Sequence, residues 1–457
     1  MPIRRTIAAL LAALGTLGLA ACGQDETQLI DGPTERGSFG PTLLAGAAYP
    51  ETVRYPDETV YETPQGYDDE GFTEAWSLWW EDRLARRDAA DAYRDAALTD
   101  ALARLIPQLL TGEGTAVCSP VDVYLALALL ADATAGATQD QLLALLGADD
   151  AAALRDRAAA LWTAHYCDDG LVMSRPASSL WLRDDRPYDE ATVARLAADH
   201  RASVFRGPMG AASYDGDLQH WLDTESGGLL SDQAAGVHLD PQTVLALATA
   251  VWYQARWETT FAAADTAAGP FHAPEGDVTC DFLHGERDLT YYAADRFAAV
   301  ALPLQDSGAL WLLLPDEGIA PRDLLADAAA FVLAGGAGTP SRSAVVDLAL
   351  PKFDVMAERD LTDDLRALGV TDVLDPDRAD LSPLLPEGDA ALGRATHAAR
   401  VTVDEEGVTA AAFTVLAMDG AGLPPEERVS FVLDRPFLFA VTGEDGLPLF
   451  FGAVETV

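Results

Sequence analysis

Two periodicities alternate along the chain. Leu98, Leu102, Leu105 and Leu109 recur at helical spacing, and Val123, Leu125, Leu127, Leu129 and Leu130 predict a second, more fully buried helix after Ser119-Pro120. Proline suits that first turn, because its missing N–H has no intrahelical partner there. Asp140–Leu146 is a third helical stretch, stopped by Gly147. Thr243–Trp257 differs: it is almost wholly apolar and rich in Ala, Val and aromatics, which predicts a central strand buried on both faces. Ala298–Leu302, Ala309–Leu314 and Ala344–Leu350 are strand-like, and Leu361, Leu365 and Leu368 mark a short helix that Gly369 ends. Val429–Leu433, Phe437–Thr442 and Pro448–Val454 close the chain as strands. Helices lead and strands follow, so the expected class is mixed α/β, of the α+β type.

The residues up to about Gly71 follow neither pattern. Arg4 and Arg5 precede the apolar run Ile7–Ala21, which is short for a spanning helix and suits an export signal. The run ends Leu19-Ala20-Ala21-Cys22-Gly23. This resembles a bacterial lipoprotein box, in which residues 1–21 are removed and Cys22 is lipidated. The alternative is an ordinary signal peptide cut near Ala21. Both export the protein, and the first anchors it to a membrane, at the cell surface or facing the periplasm. Residues 22–88, with Pro33, Pro41, Pro50, Pro56 and Pro64, read as an acidic tether to a domain spanning 89–457. Trp76, Trp79, Trp80 and Leu84 lie at helical spacing, as a packing face or else a partner site.

Composition narrows the function. The 457 residues suffice for one large domain or two ordinary ones. Asp and Glu number 73 against 30 Lys and Arg, a net charge of −43 that repels nucleic acid. Cys118, Cys167 and Cys280 leave room for one bridge and a spare thiol, or for three free thiols, and fit no zinc spacing. The phosphate-binding G-x-x-x-x-G-K-[ST], H-E-x-x-H and G-x-S-x-G motifs are absent. Asp375, Asp377 and Asp380 read as a solvated turn, since Ala379 and Pro386 stand where a calcium loop needs ligands. No metal, cofactor or enzymatic activity is expected.

Arg400 to Pro436 is the informative stretch. Arg400–Asp404 alternates as a strand, and Glu405-Glu406-Gly407 interrupts it. Val408–Met418 then carries no charge, Pro or Gly, and Asp419-Gly420-Ala421-Gly422-Leu423-Pro424-Pro425 follows. Strand periodicity puts Val408, Ala410, Ala412, Thr414 and Leu416 on one face and Thr409, Ala411, Phe413, Val415 and Ala417 on the other. At about 3.3 Å per residue the run makes a strand of roughly 36 Å. Alone, it reads better as a permanent interior strand or helix next to a loop.

The surroundings decide otherwise. Cys118-Ser119-Pro120-Val121, Thr249–Trp257 followed by Phe261, Leu350-Pro351-Lys352-Phe353, Gly369-Val370-Thr371-Asp372, Asp380-Leu381-Ser382, His397, Arg435–Phe439 and Leu449–Gly452 occur in order. Together they resemble the serpin family from about Asp91 to Val457. The resemblance implies a large central β-sheet, two further sheets, surrounding helices and an exposed reactive-centre loop, in a monomer. It implies a serine protease inhibitor acting as a suicide substrate: the loop is cut, an acyl-enzyme forms, and the freed strand inserts into the sheet. The alternative is a non-inhibitory serpin-fold protein, binding or chaperone-like.

Carried over residue by residue, Glu405, Glu406, Gly407, Val408, Thr409, Ala410, Ala411 and Ala412 are the hinge. Ser119, Asp122, Thr249, Trp257 and His397 are the shutter and breach. The attacked bond joins Ala421 to Gly422, with a shift to Gly422 open because loop length varies. Ala421 suits a protease with a small primary pocket, elastase- or subtilisin-like; Met418 or Leu416 would suit a chymotrypsin-like one. Val408, Asp122 and Thr249 depart from the family's usual Thr or Ser, Ser and Asn.

Overall fold

The computed structural model describes residues 42–64, 66–91, 93–230, 235–387, 389–408 and 427–457. An eight-stranded sheet runs in the order β1 (Leu43–Ala45), β7 (Ser203–Gly207), β6 (Met173–Arg183), β8 (Leu245–Arg256), β16 (Gly407–Val408), β15 (Leu392–Val403) and β14 (Phe353–Asp360), with β5 (Cys167–Asp168) beside β6. A nine-stranded sheet runs β17 (Arg428–Val432), β13 (Ser341–Pro351), β10 (Gly276–Ala293), β11 (Phe297–Pro303), β12 (Ala309–Pro315), β18 (Phe437–Thr442), β19 (Pro448–Val454) and β4 (Ala116–Cys118), with β9 (Ala267–Ala273) beside β10. β2 (Glu62–Thr63) and β3 (Gly66–Tyr67) form a small hairpin.

The helices are α1 (Asp69–Asp91), α2 (Ala96–Leu109), α3 (Pro120–Asp132), α4 (Gly136–Leu146), α5 (Ala151–His165), α6 (Glu190–Asp199), α7 (Ala212–Glu225), α8 (Leu325–Leu333) and α9 (Thr362–Ala367). Some of the acid excess has local work here. Asp95, Asp150 and Asp189 cap α2, α5 and α6 by accepting backbone N–H groups at 2.7–2.8 Å. Gly147 ends α4 at φ 66°, where a side chain would also meet the Ala97 carbonyl.

β8 is buried on both faces, as its composition predicts. Ala246, Ala248 and Ala250 pack with Trp181, Phe205, Tyr214 and Trp221 on one side. Val251, Tyr253 and Ala255 pack with Val401, Val403 and Phe439 on the other. α3 is buried along its whole length, packed against β6 and β8.

The tether expected over 22–88 needs correcting. From residue 42 the chain is part of the fold. β1 pairs antiparallel with β7, and the Tyr49 ring stacks on Trp162 and Tyr166 at 5.8 and 5.6 Å. Trp79 of α1 is buried, and its Nε1–H donates to Asp169 at 2.9 Å. Isolated aromatic anchors hold residues 42–68, so that stretch carries no period to detect, while the Trp76–Leu84 spacing falls on α1. Any tether lies before residue 42, outside the described residues, as does Cys22. Trp76 and Trp80 stack at 5.6 Å and stay partly exposed, so only Trp79 of that stripe is core. Cys118, Cys167 and Cys280 are all free thiols, which settles the bridge alternative; burial pushes the Cys118 and Cys167 thiols up. No described helix is long and apolar enough to cross a membrane.

Candidate functional site

The site is a seam in the eight-stranded sheet. Along most of it β8 and β15 pair directly and in parallel, from Leu245 opposite Leu392 to Ala250 opposite Ala398. At one end they diverge. The chain leaves β15 at Val403, turns at Asp404–Glu406 and returns as β16, antiparallel to both neighbours. Gly407 lies opposite Arg256, and Val408 sits between Ala255 and Val403. The Val408 side chain is fully buried in the core cluster beneath the sheet. Gly407 is required by proximity, since a Cβ there would stand 2.3 Å from the Ala255 carbonyl oxygen.

The turn is held from three sides. The Asp404 carboxylate accepts the N–H groups of Glu406 (2.9 Å) and Gly407 (3.2 Å). Trp257 donates its ring N–H to the Asp404 carbonyl (2.9 Å) and its backbone N–H to the Glu406 carbonyl (3.0 Å). Glu405 accepts from Lys352 Nζ at 2.7 Å and from the Thr266 hydroxyl at 2.8 Å. Burial works to raise the Glu405 pKa, but the Lys352 and Thr266 bonds outweigh it and hold the carboxyl below its usual range. This contribution is therefore present above the unfolded carboxylate pKa and lost as pH falls through the lowered folded value. Lys352→Met is expected to lower the melting temperature by about 1–3 °C at pH 7 and by less at pH 4, since a half-exposed pair contributes about 1 kcal/mol or less. Thermal melts at the two pH values check this; an equal loss at both would assign the effect to packing.

Farther along the seam lies a second cluster. His397 and Thr249 are register partners across β15 and β8, joined by a 2.8 Å hydrogen bond between His397 Nδ1 and Thr249 Oγ1. His397 Nε2 accepts the Ser119 N–H at 2.9 Å, and Ser119 Oγ caps α3 by accepting the Asp122 N–H at 3.3 Å. The Asp122 carboxyl is fully buried, 3.8 Å from His397 Nδ1. Burial drives the two groups apart, lifting Asp122 well above the ordinary carboxylate range and pushing His397 down to about 4.

Of the residues predicted from sequence, Ser119, Asp122, Thr249 and His397 therefore meet, and Trp257 joins Glu405, Glu406, Gly407 and Val408 at the turn. Thr409, Ala410, Ala411, Ala412, Ala421 and Gly422 lie outside the described residues. Sequence reasoning missed Asp404 and Thr266. Asp404 had a local signal, an acid followed three residues later by glycine, the pattern of an Asx turn.

A large sheet split at one end by a returning strand, packed on a second sheet and ringed by helices, defines the serpin architecture. The chain belongs to the serpin family: the family described as "Serpin (serine protease inhibitor)" matches residues 97–457. That description is of an inhibitor, not a catalyst. Serpin-Z2B of Oryza sativa subsp. japonica is 27% identical over an alignment of 368 positions that covers 72% of this chain and 87% of the rice protein. AtSerpin1 of Arabidopsis, in a form described as native and stressed, superposes with a TM-score of 0.69 at 23% identity, covering 80% of this chain and 98% of that one. Human thyroxine-binding globulin shares the fold at a TM-score of 0.69 and 18% identity, covering 79% and 99%.

Proposed function

We propose that this chain is an exported serine protease inhibitor that works as a suicide substrate. The observation that carries the reading is a match of lengths. Continued in the register of Val408 with Ala255, the charge-free run ends with Met418 opposite Leu245, the first residue of β8. Against β15, from Val408 opposite Val403, Met418 falls opposite Gly393, one residue inside that strand's start. Asp419, the next charge, falls just outside β8. The run fits the seam, and its first residue is already seated.

The chemistry follows. The protease serine attacks the Ala421 carbonyl, the Gly422 amine leaves, and an ester links Ala421 to the enzyme. Freed from its distal end, Val408–Met418 replaces one parallel β8–β15 pairing with two antiparallel ones. Net hydrogen bonds of about 0.5–1.5 kcal/mol each, plus apolar burial, drive the insertion. The attached protease is carried along the sheet, and its distorted active site no longer hydrolyses the ester. Ala421 suits a small primary pocket, and export with a lipid anchor at Cys22 would place the inhibitor at a membrane.

A serpin fold without trapping is the second reading, since thyroxine-binding globulin shares the architecture. A hinge free of charge and proline from Val408 onward favours inhibition. A protease panel tests it. Elastase-, subtilisin-, chymotrypsin- and trypsin-like enzymes are mixed with protein lacking residues 1–22. The expected result is a gel-stable adduct with the small-pocket enzymes and a released peptide beginning at Gly422. Cleavage with neither adduct nor gain in thermal stability would overturn the proposal.

A further inference from the structure

We propose that Asp122 is a proton-controlled latch on the seam: its neutral carboxyl belongs to the closed sheet, and its ionisation favours the opened one. The inference deepens the strand-insertion reading and rests on it.

The geometry places the latch in the path of the incoming strand. In the register set by Val408, Thr414 arrives between Thr249 and His397, so their hydrogen bond must break before the seam is filled. The protonation states follow from donors and acceptors. The Ser119 N–H can only donate, so His397 Nε2 is unprotonated and the ring proton sits on Nδ1, toward Thr249 Oγ1. A second proton on His397 would set two donors face to face.

Asp122 is fully buried; the Thr249 hydroxyl and the Ala177 N–H are the donors that face it, and burial outweighs both. The groups that face it come from four elements. Ser119 precedes its own helix α3 as the N-cap, the Ala177 N–H lies on β6, Thr249 on β8 and His397 on β15. Cys118 of β4 is a neutral thiol. Arg359 of β14 acts on His397 from a position bound to Asp364. Among the described residues Asp122 has no charged partner unless His397 is protonated. A carboxylate in such a place is costly, so the closed sheet holds the acid form.

Opening parts β8 from β15 and admits water, which returns both groups toward ordinary behaviour. Asp122 then releases a proton above pH of about 4, and His397 takes one up below about 6.5. Between those values the two changes cancel. Above about 6.5 His397 is neutral in both states, and the release from Asp122 stands alone. The closed sheet then binds one proton more than the opened one, so opening becomes easier by up to tenfold per pH unit until the closed-state pKa of Asp122 is reached.

The test supplies the strand in trans. A synthetic peptide with the sequence of residues 408–418 is incubated with protein lacking residues 1–22, and its incorporation is timed from pH 5 to 9 on native gels. The wild-type rate is expected to be level from pH 5 to 6.5 and to rise above pH 7 until the closed-state pKa of Asp122 is reached. Asp122→Asn and Asp122→Ser should lose that rise and instead speed up below pH 6.5, where His397 acts unopposed. A wild-type rate that is flat above pH 7, or a rise that survives both substitutions, overturns the latch. Incorporation that fails at every pH overturns the strand-insertion reading and the latch with it.

Discussion

Ala412→Asp is expected to turn the inhibitor into a substrate. Val408 points into the core beneath the sheet, and strand periodicity carries Ala410 and Ala412 onto the same face, opposite Tyr253 and Val251 of β8. Both of those residues are buried. An aspartate at 412 would have to enter that layer ionised and unpaired or else take up a proton, at a cost of several kcal/mol. Each 1.4 kcal/mol is tenfold in rate, so insertion should slow about 100- to 1,000-fold. Hydrolysis of the acyl-enzyme then wins. The cut wild-type protein is expected to gain on the order of 20 °C in melting temperature, from some ten new ladder bonds. The cut variant should gain almost none and leave no gel-stable adduct. Thr409→Asp is the control: it falls opposite Gln254, the half-exposed residue of β8, and should cost far less. Equal adduct yields from the two variants would mean that the Val408 face does not enter the core.

Gly407→Ala is expected to unseat the two-residue strand β16. Its Cβ would meet backbone atoms of β8, at 2.3 Å from the Ala255 oxygen and 2.8 Å from the Arg256 Cα, and backbone at the centre of a sheet does not give way. The turn would keep its Trp257 and Lys352 contacts while Val408 left the core. A loss of about 1–3 kcal/mol follows from the overpacking. The seam also loses the wedge from which insertion begins, so the rate of complex formation should fall tenfold or more. Melting curves and stopped-assay inhibition rates measure the two effects. An unchanged association rate with a lowered melting temperature would show that β16 contributes to stability alone.

The sequence was most legible where one physical force dominates a segment. β8 must be apolar on both faces, and the run Thr243–Trp257 says so residue by residue. β18 and β19 fell where their aromatic and aliphatic residues predicted. β6 was hidden. It is equally buried, yet Ser174, Arg175, Pro176, Ser178 and Ser179 make it read as a loop. Its polar groups are paired across distance, as when Arg175 meets Glu225 of α7 at 3.2 Å, and no local pattern records such partners. Residues 42–68 were hidden for the opposite reason, being held by a few large contacts rather than a stripe. At the site, the turn residues were visible as a motif. The meeting of Ser119, Asp122, Thr249 and His397 was visible only through family resemblance, because they come from three separate elements.

The pairing of β1 with β7 has a consequence for the molecule's life in a crowd. A sheet that must part to accept a strand is also a sheet that could accept a neighbour's, and its outer strand is the simplest place to begin. Leu43–Ala45 occupies that place on β7. The segment that leads to the front of the chain thus doubles as an edge guard. Trimming the protein back past Leu43 would uncover the side of β7 and invite self-association, without touching the bait or its hinge.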